Sequence, residues 1–348
     1  MFDLNKIIRE NIKNLVPYSS ARDEFKGEAS VFLDANENAH GSPLEKNYNR
    51  YPDPHQLKLK EKISKIKGVP VKNIFLGNGS DEVIDILYRA FCNPGKDNVI
   101  LLPPTYGMFE VSANINDVII KKVSLTAEFQ LNAEGISEVV NDNTKLIFLC
   151  SPNNPTGNSL EREDIEFILN NFRGIMVIDE AYINFSKQKS FTPELNKYSN
   201  LVVMQTLSKA WGMAGLRIGM AFASEEIISV FNKIKPPYNI NEASQQLAIK
   251  ALDNIEQVNN WIKEIVNERE KLTKSLADFS FVQKIFPSDA NFLLVKTTEP
   301  KKIYKYLVGT GIIVRDRSNI ALCEGCLRIT VGTKDENKKL LAVLNQYK

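Results

Sequence analysis

Short apolar runs and amphipathic segments alternate along the chain between about Pro70 and Ser224. The amphipathic segments Glu82–Phe91 and Arg162–Asn170 place apolar residues three and four positions apart, as helices packed on a sheet do. This alternation is typical of an α/β fold in which helices cover both faces of a mostly parallel sheet. The apolar runs predict a seven-stranded sheet, with strands at Ile74–Leu76, Val99–Leu102, Val118–Val123, Leu146–Cys150, Met176–Ile178, Leu201–Gln205 and Ile218–Phe222.

The pattern changes in the last third of the chain. Pro236 and Pro237 interrupt helical patterning, and a long helix with a bend is predicted from about Asn241 through Leu276. Three predicted strands then surround one predicted helix, which indicates a smaller α+β domain. These elements are the strands Asn291–Lys296, Ile312–Arg315 and Leu327–Val331 and the helix Lys301–Leu307.

Two domains follow from this change of pattern and from a length of 348 residues, which is more than one hydrophobic core usually organises. We predict a large domain at residues 39–270. Residues 1–38 and 271–348 are predicted to form the small domain, with the N-terminal segment packed beside the C-terminal part.

Charge and hydropathy exclude several classes of protein. The chain has 44 Lys and Arg against 42 Asp and Glu, and a formal charge of +2 gives no reason to expect nucleic acid. Met1–Lys13 lacks the continuous apolar core of a signal peptide, and no later stretch approaches the length of a bilayer span. We therefore expect a cytoplasmic protein without a membrane partner.

The four cysteines are too few for a disulfide framework in a chain of this length. Cys323 and Cys326 form a C-x-x-C pair, but no second pair completes a zinc site. We assign them no metal or redox role, and we expect no metal.

Unusual polar residues follow the predicted strands directly. Ligands of open α/β sheets sit at the carboxyl ends of strands, where loops and helix N-termini converge. We therefore expect a binding site at this edge. The strand-end segments are Gly77-Asn78-Gly79-Ser80-Asp81-Glu82, Pro103-Pro104-Thr105-Tyr106, Ser151-Pro152-Asn153-Asn154-Pro155-Thr156-Gly157, Asp179-Glu180-Ala181-Tyr182 and Thr206-Leu207-Ser208-Lys209.

Three of these positions favour particular chemistry, each beside a plainer alternative. The glycine-rich turn at residues 77–82 opens a helix, so its backbone N–H groups suit a phosphate, although such a segment is often only a turn. Asp179 follows a buried strand and needs a cationic partner, unless it only caps a helix. Lys209 precedes apolar residues that favour its neutral, nucleophilic amine, whereas a surface lysine is the plainer reading.

Taken together and in order, these segments and Gly-Leu-Arg-Ile-Gly at 215–219 resemble the cofactor site of the aspartate-aminotransferase-like enzymes, over most of the chain from Tyr51 to Arg328. The resemblance implies the fold of that class, fold type I, and pyridoxal 5'-phosphate as cofactor. It also implies that Lys209 binds the cofactor covalently and carries a proton, and that Asp179 pairs with the ring nitrogen.

The same resemblance implies roles for other cofactor-binding residues. Asn154 and Tyr182 hold the ring hydroxyl, and Tyr106 stacks on the ring. Tyr51 resembles the tyrosine that reaches the phosphate of the neighbouring subunit, which implies a homodimer. The phosphate is held by Gly79, Ser80, Asp81, Thr206, Ser208 and Arg217.

Further segments are similar to the histidinol-phosphate aminotransferase family. They are Leu15-Val16-Pro17-Tyr18, Leu33-Asp34-Ala35-Asn36-Glu37-Asn38, Gly311-Ile312-Ile313-Val314-Arg315-Asp316 and Cys326-Leu327-Arg328-Ile329-Thr330-Val331-Gly332-Thr333.

This narrower resemblance implies transamination between L-histidinol phosphate and 2-oxoglutarate in histidine biosynthesis. Arg315 and Arg328 face the substrate anion, and two guanidinium forks match a dianionic phosphate. Tyr18, Asn36 and Glu37 line the substrate pocket.

Other functions share the same cofactor residues. An aromatic amino acid aminotransferase and a threonine-phosphate decarboxylase both stay open, because a motif does not report which bond at the substrate Cα is broken. A cofactor-binding module of a transcription regulator needs a DNA-binding segment, and about forty residues before the cofactor domain leave no room for one.

Overall fold

The computed structural model describes residues 2–25 and 29–347; Met1, residues 26–28 and Lys348, which belong to the predicted small domain, lie outside the described residues. The strands are β1 (Ile74–Asn78), β2 (Asn98–Leu101), β3 (Ile119–Lys122), β4 (Thr144–Cys150), β5 (Ile175–Asp179), β6 (Leu201–Thr206), β7 (Ile218–Phe222), β8 (Val282–Ile285), β9 (Phe292–Thr297), β10 (Arg315–Asp316) and β11 (Cys326–Thr330). The α-helices are α1 (Leu4–Ile7), α2 (Glu10–Lys13), α3 (Ala21–Glu24), α4 (Leu57–Lys67), α5 (Ser80–Phe91), α6 (Met108–Ile115), α7 (Ala133–Val139), α8 (Arg162–Asn171), α9 (Glu225–Ile234), α10 (Glu242–Ala251), α11 (Ile255–Ala277), α12 (Pro300–Gly309) and α13 (Lys334–Leu344).

Strands β1 to β7 form one sheet in the order β1-β7-β6-β5-β4-β2-β3. Neighbouring strands from β3 to β6 run parallel, whereas β7 is antiparallel to both β6 and β1. The seven strands predicted from the apolar runs are confirmed, and so is the mostly parallel sheet. Because β4, β5 and β6 are adjacent and parallel, the segments that follow them open at one edge.

Both faces of this sheet are covered. Phe75 and Phe148 belong to a buried cluster with α5, α6 and α9, whereas Leu76 and Ile147 belong to a second cluster with α4, α8 and α10. Successive side chains of a strand point to opposite faces, so a strand buried on both faces needs apolar residues at every position. This is why the strands are continuous apolar runs in the sequence.

The small sheet has the order β10-β11-β9-β8 and is antiparallel. Its core contains Leu293, Leu327 and Leu340, packed with residues of α11, α12 and α13. The sequence analysis did not predict β8 or α13, although Thr333 and Glu336 form a capping box at the start of α13.

The predicted strand at Ile312–Arg315 is wrong in most of its length, since β10 contains only Arg315 and Asp316. The reason is local: the backbone N–H of Ile312 donates to Leu307 O at 2.9 Å and closes the end of α12. The chain therefore joins the sheet only at Arg315.

The predicted bend in the long helix is a short 3-10 turn at Leu252–Asn254 between α10 and α11. Asn241 caps the N-terminus of α10, since its side chain accepts the backbone N–H of Ser244 at 2.8 Å. The helix pair then continues to Ala277, close to the predicted end.

The first residues pack differently from the prediction. Phe2, Ile7 and Ile12 contact the large-sheet cluster that contains α5 and α9, rather than the small-sheet core. The backbone N–H of Arg9 also donates to Ala90 O at 3.1 Å, at the end of α5. This contact buries Ile12 of α2 and partly buries Leu4 and Ile7 of α1, and short helices are stable only when packed in this way.

None of the helices within the described residues combines the length and the apolar character needed to cross a bilayer.

Candidate active site

A pocket opens at the carboxyl edge of the large sheet, where β4, β5 and β6 end and where the chain enters β7. Ten of the twelve predicted cofactor-binding residues line it, each carried by a strand-end segment or by the start of α5. The lining residues are Ser80, Asp81, Tyr106, Cys150, Asn154, Asp179, Ala181, Tyr182, Thr206, Ser208, Lys209 and Arg217.

Lys209 lies three residues after the end of β6, in a turn closed by the N–H of Gly212, which donates to Lys209 O at 3.0 Å. Its Nζ is 5.7 Å from the centre of the Tyr182 ring. The protein atoms around the amine lower its pKa, and the positive charge of Arg328 lowers it further. Both effects shift Lys209 toward the neutral amine, in the direction expected from the sequence.

Asp179 is the last residue of β5 and is only 4% exposed. One carboxylate oxygen accepts the backbone N–H of Ala181 at 3.0 Å. Burial raises the pKa of this carboxyl to about 7, although the Ala181 hydrogen bond and the charge of Lys209 oppose the shift. A cation placed against Asp179 would restore its ionised form. Such a cation is the partner that the sequence analysis expects for Asp179.

A cup for an anion forms where the glycine turn meets Arg217. Gly79, at φ +77°, donates its N–H to Arg217 O at 2.7 Å, and α5 begins at the next residue. A Cβ at position 79 would lie 2.4 Å from the Nη2 atom of Arg217. The hydroxyls of Thr206 and Ser208, 3.0 Å apart, complete the cup.

Arg217 itself has an unusual backbone. Its φ of +54° is in the left-handed region, which costs energy for a residue with a Cβ. The guanidinium group pairs with Asp81 at 3.2 Å, and both side chains are partly exposed. The positive-φ backbone directs the chain into β7 while the side chain returns to the start of α5.

Tyr106, Asn154 and Tyr182 form the walls. The hydroxyl of Tyr106 donates to Asp81 at 3.2 Å, and the Asn154 amide donates to the Tyr182 hydroxyl at 3.5 Å. The Tyr182 ring packs edge-on against Phe292, at 5.2 Å between ring centres. Burial raises the pKa of both tyrosines, so their hydroxyls stay protonated.

Arg328 reaches this pocket from the small sheet. It donates a hydrogen bond to the side-chain oxygen of Asn154, and its guanidinium lies 5.2 Å from the centre of the Phe292 ring. Arg315 is directly opposite Arg328 in the β10 and β11 pair, with an exposed side chain. The structure thus brings the two predicted substrate arginines together.

The remaining predicted residues lie outside the pocket of this chain. The Tyr51 ring stacks on Tyr238, with ring centres 4.5 Å apart, and Tyr18 is 75% exposed. Asn36 is exposed at φ +55°. Glu37 forms salt bridges within its own segment, to Arg22 and Arg50, and accepts the Tyr51 backbone N–H at 2.7 Å.

Two pocket residues were missed by the sequence analysis. Cys150 is the last residue of β4 and lies beside Asp179 in the sheet register, and Ala181 follows Asp179 by two residues. Both lie at or directly after a strand end, which is the signal that could have identified them, but neither is a polar residue. Burial raises the pKa of the Cys150 thiol, which keeps it protonated and a poor nucleophile.

The residues present fit pyridoxal phosphate. The space in front of Arg217, which a Cβ at Gly79 would fill, is lined by donors suited to a phosphate. The buried Asp179 suits a protonated ring nitrogen, because that charge compensates a carboxylate which the protein alone leaves partly protonated. The amine of Lys209 is available to bind an aldehyde in the same pocket.

Comparisons with known proteins agree with this geometry. The profile of the aminotransferase class I and II family matches residues 27–344. A histidinol-phosphate aminotransferase of Cytophaga hutchinsonii is 56% identical over 346 residues, which cover 99% of each chain.

Solved structures show the same fold. The histidinol-phosphate aminotransferase of Clostridium acetobutylicum has a TM-score of 0.78 at 25% identity, and the match covers 85% of this chain and 90% of that one. The enzyme of Sinorhizobium meliloti, solved in complex with pyridoxal-5'-phosphate, has a TM-score of 0.79 at 23% identity, with 90% of each chain covered. The chain therefore belongs to the class I and II aminotransferases, which depend on pyridoxal phosphate, and within them to the histidinol-phosphate aminotransferase family.

Proposed function

We propose that the protein transfers the amino group of L-histidinol phosphate to 2-oxoglutarate, which yields imidazole acetol phosphate and L-glutamate in histidine biosynthesis. The observation that carries this proposal is the convergence of Lys209, Asp179 and Arg217 in one pocket, with Arg328 reaching it from the small sheet. The 56% identity to a histidinol-phosphate aminotransferase over 99% of the chain supports the choice of substrate.

The cofactor is held by its phosphate and by its ring. Arg217, Thr206 and Ser208 bind the phosphate, together with the backbone N–H groups at the start of α5. Asn154 and Tyr182 would hold the ring hydroxyl, and Tyr106 would contact the ring. When bound, pyridoxal phosphate supplies an electron sink for the charge left at the substrate Cα.

Two residues hold or transfer protons in the proposed reaction. Asp179 would pair with the ring nitrogen of the cofactor and keep it protonated. Lys209 would hold the cofactor through Nζ, and its free neutral amine would remove the proton from the substrate Cα. The lowered pKa of Lys209 suits this role, since only the neutral amine accepts a proton.

The substrate is oriented by its phosphate. Arg315 and Arg328, paired across β10 and β11, bind the dianion, and they bind the carboxylates of glutamate in the second half-reaction. We assign Tyr18, Asn36 and Glu37 to the substrate pocket of the assembled enzyme. Glu37 is already held by Arg22 and Arg50, which favours an indirect role for it through the position of its segment.

We propose that the active enzyme is a homodimer in which Tyr51 reaches the phosphate of the neighbouring site. Its support is the exposure of Tyr51, Val16 and Leu33, which are 51%, 84% and 85% exposed in the single chain. The division into a large domain at residues 39–270 and a small domain that contains residues 271–348 is part of the same proposal, whereas the first residues pack on the large-sheet cluster. A cytoplasmic location stays a prediction.

The reaction is tested in single turnover with purified holoenzyme. L-Histidinol phosphate, phenylalanine and threonine phosphate are added separately while the cofactor absorbance is followed, and the products are identified. We expect L-histidinol phosphate to react most efficiently and to yield imidazole acetol phosphate. The Lys209→Ala variant should show no turnover while still binding the cofactor.

Other outcomes have distinct meanings. A strong preference for phenylalanine would retain the aminotransferase and overturn the substrate. Release of carbon dioxide from threonine phosphate would overturn the transamination itself. Turnover by Lys209→Ala at the unsubstituted rate would remove Lys209 from the mechanism.

A further inference from the structure

A third arginine stands beside the pair at the edge of the small sheet. The backbone N–H of Arg317 donates to Cys326 O at 3.0 Å, which extends the ladder beyond β10. Arg315 is opposite Arg328 in that ladder, so Arg317 is the diagonal neighbour of Arg328. Diagonal neighbours lie about 7–8 Å apart, within reach of long side chains.

The three arginines share the face of the small sheet that meets the large domain. Residues two apart on a strand point to the same side, so Arg315 and Arg317 share a face with Arg328 and Cys326. Cys326 and Leu294, which lies opposite Arg328, belong to the core cluster of the large sheet. The other face carries Leu327, in the core of the small domain.

Carboxylates compensate the charges of this cluster only in part. The charge of Asp316 raises the pKa of Arg317, but burial and Arg315 outweigh it, and Nη1 of Arg317 donates to the backbone oxygen of Asp316 at 3.4 Å. In the part of the chain that the structure describes, none of the three guanidinium groups forms a salt bridge. The nearest carboxylate in the sequence, Asp316, is opposite Leu327 on the other face and accepts the N–H of Ser318 at 2.8 Å.

The arginines also act on one another electrostatically. Burial lowers the pKa of Arg317, and the charge of Arg315 lowers it further. Burial likewise lowers the pKa of Arg328; Tyr182 opposes this, and the charges of Arg317 and Arg315 add to it. Like charges held close together repel one another and raise the free energy of the folded protein, and a bound anion compensates this repulsion.

We propose that Arg317 is a specificity-determining residue which, with Arg315 and Arg328, binds the dianionic phosphate group of the amino donor and contributes little to binding a single carboxylate. The inference rests on the proposed function and deepens it. Three guanidinium groups match a group with three terminal oxygens and two negative charges, whereas a carboxylate is satisfied by one fork. Arg317 thus favours the phosphorylated donor over glutamate at a site that binds both.

The test separates the two half-reactions. Arg317→Gln and Arg317→Lys holoenzymes react in single turnover with L-histidinol phosphate and, separately, with L-glutamate, and Arg173→Gln is the control because Arg173 is exposed between α8 and β5. We expect Arg317→Gln to weaken apparent binding of L-histidinol phosphate by about 10- to 100-fold, as loss of a charge-assisted hydrogen bond does. Binding of L-glutamate should change less than about threefold by the same reasoning, and the Lys variant should be intermediate. Equal effects on both substrates, or no effect on either, would overturn the proposal.

A second readout is independent of the proposed substrate. Inorganic phosphate is added as a competitor of the glutamate half-reaction, and its inhibition constant is compared between the unsubstituted holoenzyme and Arg317→Gln. We expect inhibition to weaken by about tenfold, again because one charge-assisted contact is lost. An unchanged inhibition constant would overturn the role of Arg317. Failure of the unsubstituted enzyme to react with L-histidinol phosphate would instead overturn the proposed function, and the phosphate measurement would still decide whether Arg317 binds an anion.

Discussion

At the scale of single residues, the cup beside Arg217 depends on the missing side chain of Gly79. Gly79→Ala places a methyl group 2.4 Å from the present position of the Arg217 Nη2 atom, at a φ of +77°. We expect the dissociation constant for pyridoxal phosphate to rise about 10- to 100-fold, because Arg217 must move away from the phosphate. Absorbance titration of the cofactor-free protein measures this.

A matched control separates backbone strain from the lost contact. Gly68 has a similar φ of +67°, and its Cβ would meet nothing within 4 Å. Gly68→Ala should therefore lose some stability and retain its affinity for the cofactor. Equal affinities in the two variants would contradict the role given to Gly79.

Asp179 makes the stability of the cofactor-free protein depend on pH. Its pKa rises from 3.8 to about 7 on folding, so between these values the folded carboxyl retains a proton that the unfolded one has lost. Folding then takes up a proton, and the contribution of Asp179 to stability falls as the pH rises through this window. Asp179→Asn removes the penalty, and its stability gain over the unsubstituted protein should grow by about 2 kcal/mol between pH 5 and pH 7 and level off above pH 7.

Chemical denaturation of the cofactor-free proteins at several pH values measures this gain. Asp142→Asn is the control, since Asp142 is exposed in a turn before β4. The two variants should differ in pH profile; parallel profiles would show that the Asp179 carboxyl is ionised without its cofactor. The same Asp179→Asn change should lower turnover of the holoenzyme by about 100-fold or more, the size of a lost proton-transfer contribution.

At the scale of elements, α13 supports the strand that carries Arg328. Thr333 Oγ1 accepts the N–H of Glu336 at 3.3 Å, and a Glu336 oxygen accepts the N–H of Thr333 at 2.8 Å. Leu340 and Leu344 of this helix are buried in the small-sheet core. Thr333→Ala should lower the free energy of unfolding by about 1 kcal/mol, whereas Thr333→Ser should retain most of it. Urea denaturation distinguishes the two, and an equal loss in both would show that the methyl group, not the cap, is important.

Elements also show why some predictions were accurate and others were not. The strands β2, β4, β5, β6 and β7 lie inside a covered sheet, where burial on both faces leaves a continuous apolar run that is visible in the sequence. Such a run is absent from β8, whose residues are exposed or partly buried, and from β10, which has only two residues. β8 pairs with β9, and β10 pairs with β11, each across a short connection, but strands this short and exposed have no periodicity that predicts the pairing.

At the scale of the whole molecule, the proposed dimer predicts that sites are shared. Lys209→Ala and Tyr51→Ala variants are each expected to be impaired. When they are mixed and allowed to exchange subunits, one site of each mixed dimer receives Lys209 from one subunit and Tyr51 from the other. Activity should therefore reappear, to about one quarter of that of the unsubstituted enzyme, since half of the dimers are mixed and each has one complete site. Tyr51 acting within its own subunit would give no recovery.

Local features of this protein could be predicted from the sequence alone. Strand positions, the glycine turn and the environments of Lys209 and Asp179 each depend on their immediate neighbours, through burial, backbone conformation or position at a strand end. Arg217 was identified only through the family resemblance. The resemblance to a known family added roles that such patterns do not contain.

Only the tertiary structure decided which distant residues meet. The contact of Arg328 with Asn154, across 174 residues of chain, and the ladder that brings Arg317 next to Arg328 depend on the register of β10, β11 and β9 and on how the small sheet packs on the large one. The contacts of α1 and α2 with the large domain were decided in the same way. The contacts of Arg328 with Asn154 and of α1 and α2 with the large domain are long-range, and their free energy comes from surfaces that exist only after folding, so no local pattern in the sequence encodes them. The ladder at Arg317 joins residues closer in sequence, but the two-residue β10 is too short to have a pattern that predicts it.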